Sequence, residues 1–266
     1  MKLIMLGTGN AVVTRIYNTC FVLEEDGKCM LVDGGGGNGI LTQLQRAHLS
    51  CQNIHTIFVT HKHIDHLLGI IWIIRLITSG MSRGNYVGDV VIYAHDEVIE
   101  ILLQLCKGTL QENQLEWIGK RLHFVEVKDG ECYELMGHKT TFFDIHSNKA
   151  TQFGFSMMLH DNDKLTCCGD EPYHECEEEY VKGSKWLLHE AFCLYSEREV
   201  FNPYKINHST VKDACELAEK MKIDNLILYH TEEKNIEHRK SLYTKEGRMS
   251  YSGNLFVPDD LEVFEL

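Results

Sequence analysis

A chain of 266 residues, 44% of them hydrophobic, is long enough to bury a sizeable core as one large domain or two small ones, which excludes disorder as its default state. The formal net charge of -13, from 39 acidic against 26 basic residues, gives an average surface that repels polyphosphates and acidic membranes, so any nucleic-acid substrate must be held locally. Ten cysteines without a C-x-x-C pair, and an N-terminus "MKLIMLGTGN" that reaches Gly7 and Gly9 too soon for the apolar core of a signal peptide, predict a reduced, cytoplasmic protein.

Only three prolines and no Ser/Gly-rich tract occur, so a single continuous domain over 1–266 is expected. The first informative strand is "CMLVD", ending at Asp33. The following "GGGGNG" at 34 to 39 formally contains G-x-G-x-x-G, but the acidic residue needed roughly 20 positions later is missing, so a nucleotide-cofactor site is not expected. A second strand, "HTIFVT", runs into "HKHIDHLLG", where His61, His63, Asp65 and His66 fall within six positions. The apolar "LLGIIWIIRLI" after it is interrupted by Arg75 and is shorter than the roughly 20 residues of a membrane helix, so no membrane span is predicted.

Further strands end on polar residues in the same way: "TTFFDI" before His146, "KLTCC" before Gly169 and Asp170, "WLLH" at His189 and Glu190, and "NLILY" before His230. Strand ends hold side chains rigidly at the rim of a sheet, so six such ends could deliver their polar groups to one place. Between them, Val211, Ala214, Cys215, Ala218 and Met221 share one helical face, and Thr210 with Asp213 reads as the capping box that starts that helix. Strands with interspersed helices predict a layered α/β protein. The acidic "ECEEEY" reads as the start of a solvated helix, and the charged stretch 232 to 248 as a solvated helix or loop face. Cys167 and Cys168 read as buried packing residues of a strand.

In an extended stretch, residues two apart point the same way, so His61 and His63 can aim at one ion while Asp65 and His66, around the turn, aim at a second. Neutral imidazoles and carboxylates suit Zn²⁺ or a comparable first-row ion such as Mn²⁺ or Fe²⁺, and a close pair of such ions activates water at neutral pH.

This loop resembles the metal-binding motif of the metallo-β-lactamase superfamily. The entrance "LGTGNA…NTCFVLEEDGKCMLVDGGGG" is similar to that superfamily's first hairpin and Asp-Gly turn, while residues 70 to 138 match only loosely. "DIHSNKATQFGF", "CCGD" and "LILYH" are similar to the ligand contexts of the RNase Z branch. The resemblance implies a four-layer αββα sandwich and two divalent metal ions. His61, His63 and His146 would hold one, Asp65, His66 and His230 the other, and Asp170 both. "LLHEAF" resembles the branch's His-Glu-Ala-Thr signature with Phe192 in place of Thr, and "NHSTVKDA" its His-Ser-Thr segment. By resemblance, Asp65, Glu190 and His208 carry catalysis: Glu190 orients His208, which protonates or stabilises the leaving oxygen. A homodimer is also implied.

The match fails at two places. RNase Z enzymes that mature tRNA insert a protruding arm between the third-motif histidine and the bridging aspartate. Here His146 and Asp170 are 24 positions apart, filled by "FGFSMML" and "KLTCC" around the turn "HDNDK". The segment after His230 is replaced by "TEEKNIEHRKSLYTKEGR". The expected reaction is therefore hydrolysis of a small or flexible phosphodiester, such as a cyclic nucleotide or a short RNA end, with tRNA disfavoured. The alternative is hydrolysis of a carboxylic ester, lactone or sulfate ester on the same fold. A di-iron oxidoreductase would replace His63 with glutamate, and a scaffold without catalysis would not need Glu190 and His208.

Overall fold

Three apolar runs near the N-terminus form strands β1 (Lys2–Gly7), β2 (Cys20–Glu25) and β3 (Lys28–Val32), each buried along most of its length. In this computed structural model, which describes residues 1–266, the chain divides into two compact units. The first comprises Met1–Gly7, Tyr17–Val127 and Asp260–Leu266. β2 and β3 are joined through Asp26 and Gly27, both at positive φ, a two-residue turn whose twist suits an antiparallel hairpin. After helix α1 (Gly39–Arg46), strand β4 (Ile54–Phe58) adds to β3 in parallel. Helix α2 (Ile64–Arg83) and strand β5 (Val90–Ala94) follow, then helices α3 (Asp96–Thr109) and α4 (Glu112–Leu115) and strand β6 (Leu122–Glu126). The sheet order is β1-β2-β3-β4-β5-β6, with the last strand of the chain, Val263–Glu265, outside β1.

Helix α2 is 20 residues long, and by length and composition alone it would suffice to cross a membrane. This corrects the reason given for expecting no span, which rested on an apolar stretch shorter than the helix. Its Leu67, Ile70, Ile73, Ile74, Ile77 and Met81 recur at three- and four-residue spacing and pack with Leu31, Ile57 and Ile92 in the core of this unit. Burial of that stripe accounts for the helix's apolarity.

The second unit comprises Thr8–Ile16 and Lys128–Asp259. Strands β7 (Cys132–Leu135), β8 (His138–Asp144), β9 (Phe153–Met158) and β10 (Lys164–Cys167) form an antiparallel meander. β11 (Trp186–Glu190), β12 (Asn225–Tyr229) and β13 (Asn254–Phe256) then continue the sheet in parallel. Helices α5 (Glu178–Val181), α6 (Arg198–Phe201), α7 (Val211–Met221) and α8 (Arg239–Gly247) lie in the connections. The expected helix is α7. Its capping box is present, with the Thr210 N–H donating to Asp213 at 2.8 Å, and all five expected face residues are buried beside Leu187, Leu226 and Leu228. β9 and β10 pair directly as a hairpin, so the interval between His146 and Asp170 holds no arm.

Two charged stretches differ from expectation. In "ECEEEY" a helical turn does begin, but Glu177 is buried, and burial pushes its carboxyl up to about 8. In the 232 to 248 stretch Arg239 and Tyr243 are buried rather than solvated. The Arg239 guanidinium donates to Thr231 Oγ1 (2.6 Å), Thr8 Oγ1 (3.1 Å) and the Pro258 carbonyl (2.6 Å), which ties together the backbone around His230. Charge pattern alone does not say which member of a charged run faces inward.

Candidate active site

In open parallel sheets functional side chains gather beyond the carboxyl ends of the strands, and the polar residues of each unit do so here. In the first unit β3 delivers Asp33, held at φ 57°, and β4 delivers Thr60 and His61. The Asp33 carboxylate accepts the Thr60 N–H and hydroxyl, both at 2.8 Å, and lies 2.7 Å from His66 Nδ1. Thr60 Oγ1 is in turn 3.0 Å from His61 Nδ1. With the hydroxyl proton given to Asp33, Thr60 accepts from His61 Nδ1–H. One carboxylate therefore fixes the tautomers of two imidazoles, leaving the Nε2 lone pair of each for another partner.

His61 Nε2 and His63 Nδ1 approach to 2.8 Å, and the His61 and His66 rings lie 4.2 Å apart. His63 is the N-cap of α2, so Asp65 and His66 belong to that helix's first turn, where the dipole favours a carboxylate. His66 Nε2 is 3.5 Å from the Asp65 carboxylate. The structure thus brings together all four residues of the predicted loop. His61, Asp65 and His66 are buried and His63 is half-buried. Paired imidazole nitrogens beside a carboxylate are the donor set of a zinc-type ion, and the fixed tautomers fit that role.

The glycines at 34 to 37 explain this placement. Gly34 N donates to the His66 carbonyl and Gly69 N to the Gly35 carbonyl, both at 2.8 Å. A Cβ on Gly69 would lie 1.7 Å from the Gly34 carbonyl oxygen. The run serves close approach of the β3 loop to α2.

In the second unit Asp170 follows β10 through Gly169 at φ 76°, and accepts the Gln152 side-chain N–H at 2.6 Å. Its other oxygen is 3.3 Å from Nε2 of His230, which follows β12 at φ 57°. Positive φ at Asp33 and His230 is uncommon for residues with a Cβ, and both positions are strand exits that aim a polar side chain. The Tyr229 hydroxyl, fully buried, donates to the Gly169 carbonyl and so links the two strand ends.

Glu190, at the end of β11, is fully buried. Its carboxylate accepts the Ser209 N–H, while its carbonyl accepts the Ser209 hydroxyl at 3.1 Å. Its second oxygen faces His208 Nδ1 at 3.6 Å, an ion-pair contact too long for a hydrogen bond, and neither atom has another partner. Burial pushes the His208 imidazole down, but the Glu190 carboxylate and then Asp170 more than offset this and hold it above the usual histidine range. Glu190, His208 and His230 together offer donor atoms close enough to share one ion.

His146 is placed differently. It exits β8 at φ 55° with its side chain 63% exposed and Nδ1 4.0 Å from the Asp144 carboxylate, and it joins none of the second unit's donor groups. Cys167 and Cys168 are buried, and burial holds the Cys168 thiol well above its ordinary value, as packing residues require. His189, next to Glu190, is buried with Nδ1 2.7 Å from the Glu190 carbonyl.

The sequence reading did not single out the roles of Asp33, Gln152, Lys149 or Phe192. Phe192, the departure from the His-Glu-Ala-Thr signature, stacks on His208 with centroids 5.0 Å apart and planes at 11°. Lys149 Nζ lies 3.3 Å from His208 Nε2. Asp33 was signalled as a polar strand end, and Gln152, Lys149 and Phe192 by position within segments already marked by resemblance.

Residues 1–253 match the family described as "Anti-Pycsar protein Apyc1". A curated relative named Ribonuclease Z, from Thermococcus sibiricus, is 25% identical, with 100% of this chain and 96% of the relative covered. Among solved structures, the metallo-beta-lactamase fold protein YhfI from Bacillus subtilis is similar with TM-score 0.80 and 16% identity, over 99% of this chain and 98% of that one. Human tRNase Z, short form, is similar with TM-score 0.75 and 19% identity, over 100% and 99%. The fold expected from the sequence, metallo-β-lactamase of the α/β class with two mixed sheets flanked by helices, is the one observed.

Proposed function

The chain belongs to the Anti-Pycsar protein Apyc1 family, and from that premise we propose that it is a metal-dependent phosphodiesterase using two divalent ions on a small or flexible phosphodiester, such as a cyclic nucleotide. It is an RNase Z-like metal-dependent hydrolase, and the proposal takes residues 1–266 as a single domain. The observation that carries the reading is the single Asp33 carboxylate that orients His66 directly and His61 through Thr60. Solvated or helix-capping histidines would not need a shared buried carboxylate to fix their tautomers.

His61, His63 and His146 would hold one ion, Asp65, His66 and His230 the other, with Asp170 shared. Zinc suits the donors best, and manganese or iron is compatible with them. The bound ions supply an activated water at neutral pH and offset charge on the phosphoryl oxygens. His146 is exposed on its loop, and its place in this set rests on the resemblance of "DIHSNKATQFGF" alone.

The chain's own residues do the rest. Asp65 presents its carboxylate from the first turn of α2, where it is buried beside His66. Glu190, held by Ser209, raises the proton affinity of the His208 imidazole against the effect of its burial, and His208 gives its proton to the leaving oxygen. Phe192 holds the imidazole plane by stacking. The short β9–β10 connection and the charge of -13 favour a small diester over precursor tRNA. The proposal includes a reducing cytoplasm as the compartment, which the ten free cysteines suit, and a homodimer.

The test is metal analysis joined to a substrate panel. The zinc-loaded chain is expected to cleave bis-p-nitrophenyl phosphate and at least one cyclic nucleotide, and Asp65→Ala to abolish both. Faster cleavage of chromogenic carboxylic or sulfate esters than of any diester would transfer the assignment to ester hydrolysis. Robust precursor-tRNA cleavage would overturn the argument from the missing arm.

A further inference from the structure

We propose that Lys149 recognises the negative charge of the substrate, contacting a nonbridging oxygen of the phosphodiester beside His208. This rests on the phosphodiesterase reading and names the residue that separates charged diesters from neutral esters.

Lys149 lies in the loop after β8. Its Nζ is 3.3 Å from His208 Nε2, on the ring edge away from the nitrogen that faces Glu190. It is not a freely solvated lysine, since its side chain is 28% exposed and its Nζ is 3.9 Å from the buried carboxylate of Glu171. That carboxylate is fixed by Ser147 Oγ and Asn207 Nδ2, each donating at 2.7 Å. Ser147 also accepts the backbone N–H of Lys149 at 3.1 Å, so the loop itself is fastened.

An ammonium carries three donors; one is directed at His208 at 3.3 Å, while Glu171 at 3.9 Å is an ion-pair contact beyond hydrogen-bond distance. While His208 is neutral, its Nε2 accepts from Lys149. The donors left over stand at the same imidazole edge, held there by the ion pair with Glu171, so an anion lying beside His208 is within their reach. A phosphodiester brings one negative charge on its nonbridging oxygens, whereas a carboxylic ester or lactone brings none. Lys149 therefore selects the charged substrate, and the buried Glu171 holds it in place for that contact.

The test compares zinc-loaded full-length wild type, Lys149→Met and Lys149→Arg. Three readouts are taken: KM and kcat for bis-p-nitrophenyl phosphate, kcat/KM for neutral p-nitrophenyl acetate, and calorimetric affinity for inorganic phosphate. Lys149→Met is expected to raise the diester KM and to weaken phosphate binding, each by about tenfold, while leaving the acetate reaction within about twofold; Lys149→Arg should restore most of both losses. An unchanged KM and phosphate affinity, or an equal loss on both substrates, would overturn the proposal. If wild type cleaves no diester, the phosphodiesterase reading fails, and the phosphate titration still decides whether Lys149 holds the anion. If wild type cleaves the diester and Lys149→Met matches it, only the role of Lys149 falls.

Discussion

Asp33 is the residue on which the first unit's donor set turns, because it fixes one imidazole by direct contact and another through a hydroxyl. Replacing it with asparagine keeps the shape but removes the charge and offers an amide where an acceptor is needed. Asp33→Asn should therefore weaken zinc binding by about 10- to 100-fold with the far-UV circular dichroism unchanged, measured by competition with a chromogenic chelator. An unaltered affinity would mean that the imidazoles need no such support. His61, His63, Asp65 and His66 were legible in the sequence because they sit together in one segment. Asp33 was visible only as a polar strand end. Its contact with His66 spans 33 positions and exists because β3 and β4 pair in parallel, which no local pattern states. Lys149, Gln152 and Phe192 were hidden for the same reason: each acts through a partner brought near by the sheet.

At the scale of elements, the seating of α2 on the β3 loop decides where Asp65 and His66 stand. That contact depends on the absence of side chains at Gly34 and Gly69, with two backbone hydrogen bonds crossing between them. Gly69→Ala puts a methyl group into a carbonyl oxygen, and since both partners are backbone, the helix must shift. A loss of roughly 2–4 kcal/mol of stability by urea denaturation is expected, together with weakened zinc binding; a variant with wild-type stability would show that the approach is not tight. The strands themselves were easy to read, since β3, β4, β8, β10, β11 and β12 are short apolar runs ending on polar residues. The capping box and buried face of α7 were equally plain. Inward-facing charge was not: Glu177 and Arg239 each sit in a run of charged residues, and periodicity in a short run does not single out the buried one. The glycine run serves as a seat for the helix, a role that its G-x-G-x-x-G spelling does not state.

At the scale of the molecule, membership of the Apyc1 family and the metallo-β-lactamase fold leave one proposal at the centre: that His61, His63 and His146 would hold one ion, Asp65, His66 and His230 the other, and Asp170 both. Each unit presents its polar residues at strand ends, and each has its own supporting contacts, Asp33 in the first and Gln152 and Ser209 in the second. The overall negative charge makes local recognition of an anionic substrate necessary, and the cationic groups beside the proposed reaction, Lys149 and His208, come from the second unit. Resemblance alone implies this ligand set in the sequence, whereas composition and periodicity say only that six strand ends carry polar residues. The most direct measurement is anomalous X-ray scattering at the zinc edge from crystals of the zinc-loaded chain. The account predicts two ions roughly 3.5–4 Å apart, one on His61, His63 and His146, the other on Asp65, His66 and His230, with Asp170 on both. A single ion, or ions bound at separated positions with Asp170 and His230 outside their coordination, would contradict it.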